Sequence, residues 1–139
     1  MKMKWGLLTL AMILLLCGTA FGAVQDFPKF KIDVPSDWTA SQQGPTVILL
    51  ANDKSASISI TVAPMEGVSL EDLAKAFSKE FNGSAPTATD GGFGFTFTAG
   101  AVPSHAFIAD NPDTKEYVLV AVTGENPKVE EILNSLQDK

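Results

Sequence analysis

His105 is the single histidine of the chain and stands directly after Ser104. A serine beside a histidine suggests a hydroxyl with its general base, but adjacent side chains on a strand point to opposite faces. No G-x-S-x-G elbow occurs to expose a nucleophile. One imidazole also rules out a two-histidine zinc site and leaves no second ring for a proton relay. His105 is read as an ordinary histidine of an edge strand or loop, and no catalytic residue is assigned.

Asp110, Asp113 and Glu116 recur every third residue around Asn111-Pro112. Hard oxygen ligands grouped in this way can hold calcium. They lack the D-x-D-x-D-G loop spacing, and a solvated hairpin turn accounts for them, so no metal ligand and no cofactor is assigned. Asp90-Gly91-Gly92-Phe93-Gly94 is glycine-rich but does not complete G-x-G-x-x-G, and a strand rather than a helix follows it. Phosphate binds at backbone amides that open a helix, so this turn is structural.

Two apolar features are open to two readings each. Trp38 follows a proline turn and either plugs the core or anchors a partner, since tryptophan is enriched in both settings. It is the one candidate partner-binding residue. Phe93, Phe95 and Phe97 alternate with small residues and form either core beneath a helix or the lining of an apolar ligand groove.

The elements that must position these residues follow from periodicity. Phe30 to Val34 alternates apolar and charged, as a half-buried strand does, and Pro35-Ser36-Asp37 stops it. Ala23 to Lys29 is a short entry segment, and the domain proper begins near Phe30. Trp38 opens an extended piece to Gln43, and Gly44-Pro45 turns the chain into Val47 to Ala51, apolar at every position and expected to be covered on both faces. After Asn52-Asp53-Lys54, Ser55 to Ala63 alternates again, so one face is buried.

Ser69 caps a first helix, with Asp72 three residues on and Glu71 near the positive end of the dipole. Leu70, Leu73, Ala74, Phe77 and Phe81 share its apolar stripe, and Asn82-Gly83 ends it. This helix is expected to pack across the strand that carries Phe93, Phe95 and Phe97. Thr87 to Thr89, the turn at Asp90-Gly91-Gly92 and the phenylalanine strand make a hairpin. His105 to Ala109 and Tyr117 to Val122 are further strands, the second apolar on both sides. A last helix starts with Asn126 as cap and Pro127 as first residue, and Val129, Ile132, Leu133 and Leu136 form its stripe. Strands, helix, strands, helix with hairpin-type connections give an α+β fold with a mainly antiparallel sheet packed with helices.

The compartment is set by the first residues of the 139. Met1-Lys2-Met3-Lys4 is basic, Trp5 to Val24 carries no charge, Leu7 to Leu16 is its apolar centre, and Ala20-Phe21-Gly22 offers small side chains to a signal peptidase. Residues 1–22 read as a signal peptide cleaved after Gly22 or one residue later, leaving 23–139 as one exported domain, periplasmic or extracellular. An uncleaved membrane anchor and a lipid on Cys17 are the alternatives, the second disfavoured by Leu15-Leu16 ahead of the cysteine.

The only cysteine leaves with the signal, so the domain has no disulfide to form and no thiol chemistry. Eight lysines against sixteen carboxylates then give a formal charge of −8, with no arginine anywhere. A nucleic-acid binder needs a basic stripe and arginine to read bases or clamp phosphate, so that class is excluded, and anionic lipid surfaces are disfavoured on the same ground.

Phe30-Lys31-Ile32-Asp33-Val34-Pro35 followed by Trp38, and Tyr117-Val118-Leu119 followed by Glu131-Ile132-Leu133-Asn134-Ser135-Leu136, resemble the opening and closing of PsbP-like and DcrB-like domains. The resemblance spans the exported part in element order. It implies a PsbP-like α/β/α sandwich and non-catalytic work, since members include an extrinsic photosystem subunit, a Ran-binding import factor and a periplasmic phage-uptake factor. Some members bind metal ions, but no matching ligands are placed here. Roles so different leave the fold unable to choose among them. The expectation is a non-enzymatic envelope protein that binds another protein, with a carrier of a small apolar ligand, held between sheet and helix, as the alternative.

Overall fold

The computed structural model describes residues 23–138; residues 1–22, expected to be a signal peptide and including Cys17, lie outside the described residues. Seven strands pair antiparallel in the order β3 (Trp38–Gln43), β4 (Thr46–Ala51), β5 (Ala56–Pro64), β9 (Glu116–Gly124), β8 (Val102–Asn111), β7 (Gly92–Ala99), β6 (Thr87–Thr89). Two meanders make this sheet. The first runs β3 to β5, helix α1 (Leu70–Glu80) carries the chain to the far edge, and the second returns from β6 to β9, which zips onto β5 from Ala56↔Gly124 to Pro64↔Glu116. The α+β class with a mainly antiparallel sheet is therefore what the chain adopts.

A second, three-stranded sheet pairs β2 (Phe30–Val34) with β1 (Ala23–Asp26) on one side and β10 (Gln137–Asp138) on the other. The entry segment is thus part of the fold from Ala23, paired with Val34. Short polar strands such as Ala-Val-Gln-Asp carry little periodicity of their own, and only the edge of β2 makes them regular.

Burial follows the period of two. Along β9, Val118, Val120 and Val122 face one way, and Tyr117, Leu119 and Ala121 the other. The first set joins a core of Phe30, Ile32 and Val34 from β2, Trp38, Val47, Leu49, Ile58 and Ile60 from β3 to β5, and Ile132 from helix α2 (Val129–Asn134). The second joins Ala74 of α1 with Phe95, Ala106 and Ile108. The two covers therefore sit diagonally. β2 and α2 lie over β3 to β5 on one face, while α1 lies over β7 to β9 on the opposite face.

That diagonal corrects one expectation. β4 is covered on one face only: Val47, Leu49 and Ala51 are buried, but Leu50 is 41% exposed, because α1 is placed over the other meander.

Helix α1 forms as its sequence dictates. Ser69 Oγ accepts from the Asp72 amide at 3.1 Å, Glu71 and Lys75 pair one turn apart, and Asn82 takes φ 56° to end the helix. The last helix departs from its expected start, running from Val129 rather than Pro127. Asn126 does not cap it directly; its Oδ1 accepts from the Lys128 amide and its amide nitrogen donates to Ser55 Oγ, both at 2.8 Å. The helix stops early because Ser135 Oγ accepts from the Asp33 amide of β2 at 2.9 Å and the chain then pairs with β2 as β10. Leu136 consequently lies beyond the helix.

Candidate functional site

The diagonal cover leaves the β8–β9 part of the sheet open beside α2. Its floor is built by alternation: Val118, Val120 and Val122 of β9 lie beside Phe107 and Ala109 of β8, which are the strand partners of Val120 and Val118. Leu133 of α2 and Leu136 form the wall. The hollow holds about 640 Å³, within the range of small-ligand sites.

Phe107 is the residue that makes this face unusual. It is half-buried and belongs to neither core cluster. On β7 its partner is Gly94, with Gly92 two residues away. Gly92 has no side chain to compete for the space: a Cβ there would meet Phe107 Cζ at 3.1 Å and collide with the Ile108 carbonyl oxygen. A backbone approach this close requires glycine.

The mouth is polar. His105 stands at one end of the floor, and Asp110, Asn111 and Asp113 at the other. Asn111 Oδ1 accepts from the Asp113 amide at 3.0 Å and fixes the turn that carries both aspartates. Beyond Leu136 a smaller hollow continues past Lys29, whose ammonium lies 2.7 Å from Glu116 Oε2. Beyond Leu133 another reaches Glu125 and Glu130.

No protein-family model matches the chain, and no curated protein sequence matches it. Among solved structures, a crystal structure of a Bacteroides thetaiotaomicron protein superimposes with a TM-score of 0.45 and 15% identity, over 79% of this chain and 45% of the other. This chain thus spans less than half the length of that neighbour. The site must be read from its own residues.

Ser104 and His105 are separated by the sheet, as strand geometry requires. Ser104 is buried on the α1 side with its hydroxyl 3.3 Å from Thr123 Oγ1, while His105 is exposed on the groove side. β8 is an interior strand, which corrects the edge-strand or loop placement of His105. Asp110, Asp113 and Glu116 do not gather either, because Glu116 is held by Lys29; among the described residues no three carboxylate, histidine or cysteine groups converge as a metal site would need.

Trp38 is 4% exposed and packs in the core beside β2. Of its two roles the structure supports the core, since a ring so enclosed has no surface left to anchor a partner. Its Nε1–H has no acceptor among the described residues. Phe95 is likewise core, with Phe81 of the segment after α1 at 5.7 Å, and so packs against α1 rather than lining a groove. The apolar groove lies on the opposite face, under α2. Its signal in the sequence was the alternation of Val118, Val120 and Val122 with Phe107 and Ala109.

The Lys29–Glu116 pair ties the β1–β2 turn to β9. Hydrogen bonding from Lys29 holds the Glu116 carboxyl below its ordinary 4.5, against the opposing effect of burial. A depressed carboxylate adds stability above its unfolded value and loses it as pH falls through the folded one. Lys29→Met should lower stability at neutral pH by less than about 1 kcal/mol, as exposed pairs do, and the gap to wild type should close as pH falls below Glu116's ordinary 4.5. Urea midpoints at several pH values read this directly; a gap that persists in strong acid means the loss is one of packing, not charge.

Proposed function

We propose that the chain is an exported, non-enzymatic binding protein that carries an apolar ligand in the groove between β8–β9 and α2. The observation behind this reading is Phe107, which lies outside both cores yet faces a concave hollow at the margin of the first core, beside Val118 and Val120. Ligand sites are mostly apolar, concave and fringed by few polar groups. The absence of a base beside a nucleophile at His105 supports the non-catalytic part, and the basic-then-apolar start supports export. Kinship with PsbP-like domains belongs to the same proposal, resting on the Phe30–Pro35 and Trp38 opening and the closing strand and helix.

A protein partner is the second reading, favoured by one observation. Among the described residues no helix packs on the face of β3 to β5 away from β2, which presents Leu50, 41% exposed, beside half-buried Ile48. This face rests on the exposure of one large side chain, whereas the groove is a defined hollow, and the groove is the stronger site.

Native mass spectrometry of the protein purified without detergent tests both parts of the proposal, the expected species being residues 23–139 with an apolar adduct. An environment-sensitive apolar dye should bind wild type with one-to-one stoichiometry. Ala109→Phe, which fills the floor, should weaken the dye by roughly tenfold or more. A folded Ala109→Phe protein that binds dye as wild type does would refute the groove as the site.

A further inference from the structure

We infer that the chain forms a two-fold symmetric dimer in which the free edge of β3 pairs with β3 of a second copy, joining the two seven-stranded sheets into one. The inference is independent of the groove at β8–β9. Among the described residues β3 has β4 on one side and no strand on the other. The phase of its hydrogen bonds follows from the rung just beyond it, where the Asn52 amide donates to the Asp37 carbonyl at 2.9 Å, in register with Trp38↔Ala51. Bonded and non-bonded rungs alternate in an antiparallel ladder. Thr39, Ser41 and Gln43 therefore turn their peptide groups to β4, while Ala40 and Gln42 turn theirs outward. A second β3 laid antiparallel with Ser41 on the two-fold axis sets Ala40 opposite Gln42 of the second copy, a rung that exchanges both N–H and C=O groups. The axis repeats that rung.

The other strand edges are blunted. β6 has three residues and is entered through Pro86, β1 has four and ends on Asp26, and β10 has two, one of them Asp138. Shortness, proline and charge are the devices that keep edges from pairing. β3 has six residues and none of these devices. Charge then selects a second copy as the occupant, because residues 23–139 carry twice as many carboxylates as lysines and two copies repel wherever carboxylates face each other. β3, β4 and β5 contain no ionisable side chain. Asp37, just ahead of β3, is matched by Lys128 at 3.5 Å, so two such edges meet without like charge. Ile48, the register partner of Ser41, stands on each side of the axis, and Leu50, 41% exposed, lies two residues along β4. Both copies thus bring apolar and hydroxyl-bearing side chains to the join.

Sedimentation equilibrium of residues 23–139 tests the inference. The average mass should rise from one chain toward two between about 1 µM and about 1 mM, the weak range expected of an interface built on one short strand. Ser41→Lys and Ser41→Asp each set like charges across the axis and should stay monomeric over that range, with urea midpoints near wild type because Ser41 is exposed. Ser41→Lys also makes the chain less acidic, so its loss of association cannot come from net charge. Mixed in equal amounts, the two variants should associate again, since each then faces its opposite.

A wild-type chain that stays monomeric up to about 1 mM, a dimer that either folded variant leaves intact, or a mixture that remains monomeric each overturns the edge pairing. A dimer that survives both variants arises from another interface.

Discussion

Phe95→Ala is expected to cost about 3–5 kcal/mol of folding stability, the usual range for removing a buried phenylalanine. Phe95 is 4% exposed at the centre of an aromatic layer, with Phe81 at 5.7 Å and Phe97 at 6.1 Å, while Phe77 extends the layer to Tyr117 at 5.6 Å. Burial there raises the Tyr117 phenol above its ordinary value, as expected where apolar rings replace water. The cavity left by the alanine cannot easily collapse, since it lies between a helix and a continuous sheet. A domain of this size typically has about 5–15 kcal/mol in total, and none of it comes from disulfides. Urea denaturation with an unchanged slope would report the loss; a loss under about 1 kcal/mol would mean that the layer is not closed and that Phe95 lines a ligand space.

Gly124→Ala should be comparably damaging for a different reason. Gly124 closes β9 opposite Ala56 with φ +81°, in the left-handed region, and a Cβ there would collide with the Ser55 carbonyl oxygen. Strain in that region costs about 1–3 kcal/mol, and overpacking against backbone a further 1–3, also of that approximate order. A loss of about 2–6 kcal/mol is therefore expected. Gly91→Ala separates the two terms: Gly91 has φ +89° but open space around it, so only the strain applies. Equal losses at both positions, measured by thermal and urea unfolding, would remove the collision from the explanation.

The aromatic layer was legible because two local patterns agree. Phe93, Phe95 and Phe97 alternate on a strand, Leu73 and Phe77 repeat at helical spacing, and each pattern needs the other to bury it. The hairpins were legible from their turn residues. What could not be read locally is what depends on partners far along the chain. β1 and β10 are regular only because β2 offers two edges. α2 ends early because Ser135 and the residues after it bind β2, about a hundred positions back in sequence.

The groove belongs to the same class. Apolar residues on both faces of β4 and β9 announced cover but not which helix would supply it, and the open floor is the difference between a seven-stranded sheet and two short helices. Its acidic mouth was visible as Asp110 and Asp113. The hollow they border together with Val118 required the β8–β9 register, and a turn taken alone gave no sign of a floor nearby.

In the strand pairing of the seven-stranded sheet the two meanders join along the β5–β9 ladder, which pairs Pro64 with Glu116 and Ala56 with Gly124. Every rung joins residues separated by α1 and three strands, so the ladder forms only after a long loop has closed. Each meander can assemble from local hairpins beforehand. Until they join, a partly folded chain displays two long unpaired strands, and Ile58, Ile60, Val120 and Val122 make both edges apolar. Unpaired edges of this kind invite pairing with another copy, so the join that completes the monomer is also the point from which domain-swapped dimers would grow at high concentration.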